Sequence, residues 1–320
     1  MHSLTRILIG LTLITVLFST CRKKNEMFTI GIVQIIEDKI LDDARASFVK
    51  SLEDQGYQID RDVRIVYQNA QGDIPTVSMI LQSFVSSRVD LVVTLGTPCQ
   101  LAAIQSVKTI PIIYTVAFSA AQMGIAHKPD NLTGVYDPCP IDQFFEGIHR
   151  VTPSITKLGL VYNTAEVNAL YVAGLIKNAY AEHGFELVEG TFESTADLTQ
   201  VTEALVRKGA QAVIAAADNR VYAAIESILR VTNREKIPFF TTEINNIDKG
   251  LLAAVGPDCN EWAYKAGQLA GRVIRGESVS RIPEVPLGDY NLVINLNTAE
   301  KLGISLSDEV KELADSLYQP

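Results

Sequence analysis

Polar residues stand at the ends of apolar, strand-like runs all along this chain, and they are of the types that hold a small charged molecule. The run FTIGIVQII carries Gln34, with Glu37 just after it, and Gln68, Asn69 and Gln71 close VRIVYQNA. Gly96, Thr97 and Pro98 end VDLVVTLG, while Phe118 and Ser119 end IPIIYTVAF. Further on, Tyr162 and Asn163 close KLGLVYN with Glu166 and Asn168 behind them, Asp218 and Asn219 close AQAVIAAADN, and Thr241, Thr242 and Glu243 close KIPFFTTE. A small zwitterion suits this set. Its carboxylate would accept from Thr97 and from free N–H groups at the helix after Gly96, and its ammonium would pair with Asp218 or Glu243. Phe118, Tyr136 and Tyr162 are available to line an apolar part. Taken singly, each of these residues equally suits a helix cap or a core position. Their recurrence at nearly every strand end separates the set from isolated caps.

Residues that would transform a ligand are missing. There is no GxxxxGK[ST], no GxGxxG after the first strand, no HExxH and no GxSxG, and the four histidines, His2, His127, His149 and His183, are scattered. No catalytic residue, metal or cofactor is expected. The one enzymatic alternative is Cys99, at a helix start where the dipole would favour a thiolate. The plainer expectation is a small buried thiol, since no partner histidine or acid stands nearby in sequence.

The elements that position these residues alternate regularly. Leu41, Ala44, Phe48 and Leu52 recur at helical spacing after the first strand, as do Val77, Ile80, Leu81, Phe84 and Val85 after the second. The result is βαβαβαβ, which predicts a parallel sheet covered on both faces. A loop rich in Pro, Gly, Asn and Asp, residues 127–140, then breaks the rhythm and reads as a crossing between lobes. The alternation restarts from Ile141, Phe144, Phe145 and Ile148 and continues to GLLAAVG. Two α/β halves in series are expected: lobe 1 over 28–138 with part of 257–288, and lobe 2 over 139–256 with part of 289–320. A helix from about Trp262 to Arg275 and the run NLVINL would complete them. Ligands of such sheets sit beyond the carboxyl ends of the strands, so two hinged lobes would face their polar ends across a cleft.

Over 320 residues, 28 basic and 37 acidic side chains give a formal charge of −9 and a pI near 5.1. Nucleic acid is not an expected partner, because phosphate neutralisation needs a basic face. Residues 7–18 are nearly all apolar, too short a stretch for the ~20 residues of a spanning helix, and follow a single Arg6. They read as a signal peptide over 1–20, ahead of a lipidated Cys21 and a charged tether over 21–27. An ordinary secretory signal is the alternative. Cys99, Cys139 and Cys259 remain, an odd number without metal-ligand spacing, so at most one disulfide is possible.

The segments IGIVQIIEDKILDDARASFVKSLEDQGY, VYQNAQGD, LGTPCQLAA, NLTGVYD, LGLVYNTAEVN, ADN and LVINLNTAEKLGI, in that order, resemble ABC-transporter substrate-binding lipoproteins of the tryptophan/tyrosine type over residues 28–312. The resemblance implies a type I periplasmic-binding fold: two Rossmann-like lobes with parallel sheets, three crossing segments, and ligand held at the hinge. It implies a monomeric receptor without enzymatic activity, anchored to a bacterial membrane and facing the periplasm or exterior, that delivers an aromatic or other apolar amino acid to a permease served by a cytoplasmic ATPase. A ligand sensor of the same fold is the alternative. By position, Gln34, Glu37, Thr97 and Pro98 would face the cleft from lobe 1, and Asn163, Glu166, Asn168, Asp218, Asn219 and Glu243 from lobe 2. The chain departs from the family pattern at Cys99, at AFSA, at Thr164 and at Ala217.

Overall fold

The structure, a computed structural model, describes residues 27–215, 217–288 and 290–319. The expected signal peptide, Cys21 and the tether as far as residue 26 lie outside the described residues. Among those described, no helix is long and apolar enough to cross a membrane.

The first lobe forms from β1 (Phe28–Gln34), α1 (Lys39–Asp54), β2 (Val63–Asn69), α2 (Ile74–Ser86), β3 (Leu91–Leu95), α3 (Thr97–Ser106), β4 (Ile112–Ala117) and β5 (Leu132–Tyr136). The strands pair in parallel in the order β5-β4-β3-β1-β2. β3 is buried along its whole length, as an apolar run covered by helices on both faces must be. α1 begins where the Asp38 carboxylate accepts from the Ile40 N–H at 2.6 Å, and buries Ile40, Leu41, Ala44, Phe48 and Leu52 as one stripe. α2 is capped in the same way by Asp73, which accepts from the Thr76 N–H at 2.9 Å.

The second lobe contains α4 (Ile141–Val151), β6 (Lys157–Asn163), α5 (Val167–Ala179), β7 (Glu186–Phe192), α6 (Leu198–Arg207), β8 (Ala212–Ala215), α7 (Asn219–Ala223), α8 (Ile225–Glu235), β9 (Phe239–Thr241) and β10 (Ala253–Gly256). The chain then returns to the first lobe through α9 (Cys259–Ile274) and β11 (Val285–Pro286), and finishes in the second with β12 (Asn291–Asn295), α10 (Leu296–Leu302), α11 (Asp308–Leu313) and β13 (Ser316–Tyr318). The second sheet runs β13-β12-β10-β9-β8-β6-β7, and β11 extends the first beyond β5. Each sheet carries an apolar core on both of its faces.

Three features differ from expectation. Residues 127–140 are not all loop, because Leu132–Tyr136 is short and apolar enough to add β5 to the sheet, and the crossing begins only after it. The helix expected from about Trp262 starts earlier, at Cys259, where Asp258 caps it by accepting from the Asn260 N–H at 2.8 Å. β12 pairs antiparallel with β10, an exception within sheets that are otherwise parallel. Cys99, Cys139 and Cys259 are all buried free thiols.

α9 packs against α1 at a distance that only glycine allows. A Cβ on Gly267 would stand 2.6 Å from the Ser51 Cβ and 2.7 Å from the Phe48 carbonyl oxygen. Gly267→Ala should therefore push the helices apart and destabilise the chain by about 1–3 kcal/mol, the range for overpacking a close core contact. A lowered thermal midpoint with unchanged ligand affinity would mark the effect as structural.

Candidate functional site

The chain crosses between the sheets three times, after β5, between β10 and α9, and between β11 and β12. An inner chamber forms at these crossings, with about 600 Å³ of space between atoms, counting the part open to solvent. Lobe 1 supplies Ile36, Asp38, Ile40, Leu41, Thr97 and Val116–Phe118; lobe 2 supplies Asn168, Ala217–Asn219, Tyr222, Thr242 and Glu243. Asp137 and Pro257 on the crossings, with Cys259 and Trp262 on α9, complete the wall. The Trp262 indole is held by donating from Nε1 to the Val135 carbonyl at 2.7 Å.

Local backbone features aim these groups. Gly96, at φ 95°, turns the chain from β3 into α3, and no side chain caps the first turn of that helix. Its amides therefore remain available to an anion. Thr97 Oγ1 accepts from the Phe118 N–H at 3.3 Å, tying α3 to the end of β4. Val116 is at φ 50°, where the register of β4 shifts against β5. A β-branched residue there costs on the order of 1–3 kcal/mol, and such strain concentrates at ligand-facing positions.

Among the described residues the inner chamber is acidic, with four carboxyl groups, Asp38, Asp137, Asp218 and Glu243, and no Lys, Arg or His in its wall. Glu243 is buried, accepts from the Asn245 N–H, and leaves Oε2 without a partner. Loss of hydration pushes its carboxyl up to about 8. Asp137 is raised to about 6 by burial, although the Tyr290 hydroxyl and the Cys139 N–H both donate to it. Asp218 is also raised, by burial first and then by the Glu166 charge, against the pull of three backbone donors, Asn163, Arg220 and Val221. Asp38 is raised chiefly by burial. Asn168 Oδ1 and the hydroxyls of Tyr222 and Thr242 are likewise buried without a hydrogen-bond partner. Buried polar atoms are nearly always paired, so this cluster of unpaired ones suits a ligand that forms hydrogen bonds, and the carboxyl groups beside it suit one that carries positive charge.

A second, outer chamber adjoins the first and shares Ile36 and Asn219 with it. Glu166 stands between the two. Its Oε2 accepts from the Asn219 N–H at 3.1 Å, from Asn219 Nδ2 at 2.9 Å and from Asn168 Nδ2 at 3.2 Å, while Oε1 lies 3.6 Å from Arg220 Nε. Arg220 also donates to the Glu193 carbonyl at 2.9 Å and, across the lobes, to the Gly72 carbonyl at 3.5 Å. Gln122 donates to the Tyr171 hydroxyl at 3.3 Å, and Phe118 meets the Tyr171 ring with centroids 5.0 Å apart. The lobes are thus in contact across the cleft.

Of the residues marked in the sequence, Thr97, Phe118, Asn168, Asp218, Asn219, Thr242 and Glu243 meet at the inner chamber. Pro98 and Glu166 line the outer one. Asn163 supports the site from behind, its backbone N–H donating to Asp218 at 2.6 Å, and Gly96 shapes the turn before Thr97. Five are placed elsewhere. Gln34 is buried within lobe 1, where it accepts from Arg45 at 2.7 Å; Glu37 is exposed; Ser119 donates to Gln122; and Tyr136 packs beside the lobe 1 core. Tyr162 donates to Glu189 at 2.8 Å, away from both chambers. Cys99 is fully buried in the lobe 1 core, and burial drives its pKa upward, opposite to what a nucleophile needs.

Sequence reasoning missed Asp38, Val116, Asp137, Tyr222, Cys259 and Trp262, all of which line the inner chamber. Tyr222 had a usable signal, four residues after Asp218 and so on the same face of a helix. Asp137 and Pro257 lie at crossings whose position is set by how the two sheets are completed, which no local pattern records.

Two sheets completed by exchanged segments, with a ligand chamber at their crossings, define a two-lobed receptor of the type I periplasmic-binding class. The chain belongs to the family of ABC transporter substrate binding proteins, whose description matches residues 29–318. It is 34% identical over 277 residues to a tyrosine-binding protein of Clostridioides difficile, covering 85% of this chain and 80% of the relative. A crystal structure of a conserved domain protein from Vibrio cholerae superimposes with a TM-score of 0.86 at 29% identity, over 92% of this chain and 100% of that one. A Streptococcus pneumonia ABC domain in complex with L-Trp has the same fold, with a TM-score of 0.86 at 23% identity over 91% of this chain and all of the other.

Proposed function

We propose that this chain is the extracytoplasmic receptor of an importer, held at the membrane by a lipid on Cys21, and that it closes on an aromatic amino acid for delivery to a permease. The observation that supports this most directly is the inner chamber itself. An unpartnered oxygen of buried Glu243 shares one cavity with Phe118, Tyr222 and Trp262, and no cation competes for it. The ligand ammonium would sit against Glu243 and Asp218. The carboxylate would meet Thr97 and the uncapped first turn of α3, and the ring would lie among the aromatic and aliphatic walls. Tyrosine in the name of the clostridial relative, and tryptophan in the streptococcal complex, agree with that chemistry. Closure would be stabilised by ligand contacts to both lobes. The protein would bind and release its ligand as a monomer, without cofactor and without altering the ligand.

Thermal unfolding of the full chain in detergent, against each amino acid, nucleoside and simple sugar in turn, tests this. L-Tyr or L-Trp at ~100 times its dissociation constant should add about 2.7 kcal/mol and raise the midpoint by several degrees. A shift confined to sugars or nucleosides would replace the ligand class. Cys21→Ala should release the chain from the membrane fraction, and retention there would rule out the lipid anchor.

A further inference from the structure

We propose that the cleft takes a short peptide whose N-terminal residue is aromatic, most simply a dipeptide, with the first residue in the inner chamber and the second in the outer. The proposal rests on the receptor function above and extends its ligand class.

The charge distribution along the cleft motivates it. Every ionisable side chain lining the inner chamber is acidic, so that chamber is built for an ammonium and offers a carboxylate only hydroxyls and amides. Among the described residues Arg220 is the one cation lining either chamber; it belongs to the outer, where Glu166 lies 3.6 Å away and the Glu193 and Gly72 carbonyls take two of its five N–H groups, leaving others for a ligand carboxylate. A free amino acid carries its two charges on one carbon and cannot span the partition. In a dipeptide a neutral peptide group separates them, which places an ammonium among the inner carboxyl groups and a carboxylate toward Arg220.

The partition is suited to a peptide group. Asn168 is buried, spends its Nδ2 on Glu166 and on the Ala217 carbonyl at 2.8 Å, and leaves Oδ1 without a donor. The N–H of a peptide bond passing from one chamber to the other is a donor this oxygen lacks; in a free amino acid the only N–H groups are on the ammonium, which Glu243 and Asp218 would hold. Beyond it the outer chamber opens to about 810 Å³ of space between atoms, part of it solvent, walled by Ile35, Ile74, Leu101 and Val167. Ile74 and Val167, at 47% and 42% exposure, are among the exposed large apolar side chains of the chain. An apolar second side chain would cover both. Asn219 and Ile36, which line both chambers, would flank the crossing.

Calorimetry on the full chain with L-Tyr, Tyr-Leu and Tyr-Leu-amide decides the matter. Tyr-Leu should bind at least as tightly as tyrosine, and the amide about tenfold more weakly, since it gives up a charged hydrogen-bond partner. Arg220→Gln should abolish the preference for the free carboxylate. Ser78→Trp, which narrows the outer chamber from a half-buried position on α2, should weaken Tyr-Leu about tenfold more than it weakens tyrosine. Binding of tyrosine with no binding of either peptide overturns the proposal. Binding of peptides without free amino acids upholds it and revises the ligand of the receptor. No binding of any aromatic amine overturns both.

Discussion

Glu243→Gln should weaken binding of an aromatic amino acid about 100-fold or more, while making the empty protein no less stable and, from about pH 5 upward, increasingly more stable. Glutamine has the shape of the neutral acid and keeps an oxygen to accept from the Asn245 N–H. It cannot supply the negative charge that a desolvated ammonium requires, and removing one partner of such a pair costs about 2–5 kcal/mol. In the empty chamber the balance reverses. The ionised carboxylate is buried without a counter-ion, so replacing it removes a desolvation penalty. Calorimetric affinity and the thermal midpoint would move in opposite directions. Parallel losses in both would show that Glu243 is a structural acid. Asp218→Asn is the informative contrast, because Asp218 accepts from three backbone N–H groups, and an amide would turn a donor toward some of them. That variant should lose stability as well as affinity.

The ligand-free protein should become less stable as the pH rises from about 5 to 9, opposite to the usual behaviour of paired carboxylates. Asp137, raised to about 6, and Glu243, raised to about 8, keep protons in the folded chain that the unfolded chain has already released by about pH 4–5. Asp218 is raised in the same sense. Where the folded state binds more protons, the unfolding free energy falls with pH. The stability associated with these groups is therefore complete below the unfolded values and is lost as pH climbs through the folded ones. A total on the order of 3 kcal/mol would lower the midpoint by roughly 5–10 °C. Asp54, Asp62, Asp73 and Glu277 are lowered by their hydrogen bonds and ion pairs, and oppose this only at more acid pH. Binding of an ammonium has the reverse slope. It requires the ionised form of Glu243, so it should release up to one proton and strengthen by up to tenfold per pH unit between about pH 6 and 8. Calorimetry in buffers of different ionisation enthalpy would count the proton. An affinity flat with pH would mean that the ligand brings no positive charge to Glu243.

The alternation of apolar runs with helical spacing determined the two α/β halves, because burial on both faces of a parallel sheet leaves a continuous apolar signature in the strands and a stripe in the helices. The polar residues at strand ends were legible for the same reason. Thr97, Phe118, Asp218, Asn219, Thr242 and Glu243 follow directly from where apolar runs stop, and they meet at one chamber. The same rule also selected Gln34 and Tyr136, because a strand end is a place on a sheet and carries no information on which way its side chain turns. Gln34 points into its own lobe, toward Asp42 and Arg45.

Only the tertiary structure decided that Asp137, Pro257, Cys259 and Trp262 belong to the same wall. Asp137 and Trp262 are 125 residues apart in a chain that crosses between its sheets in three places. Which strand completes which sheet depends on long-range pairing, and that places the crossings side by side. Only the structure, too, made the carboxyl groups unusual. In sequence, Asp218 and Glu243 are ordinary acids near helix starts. Packing removes their water and supplies no cation, and that turns two common residue types into a site suited to a positive charge.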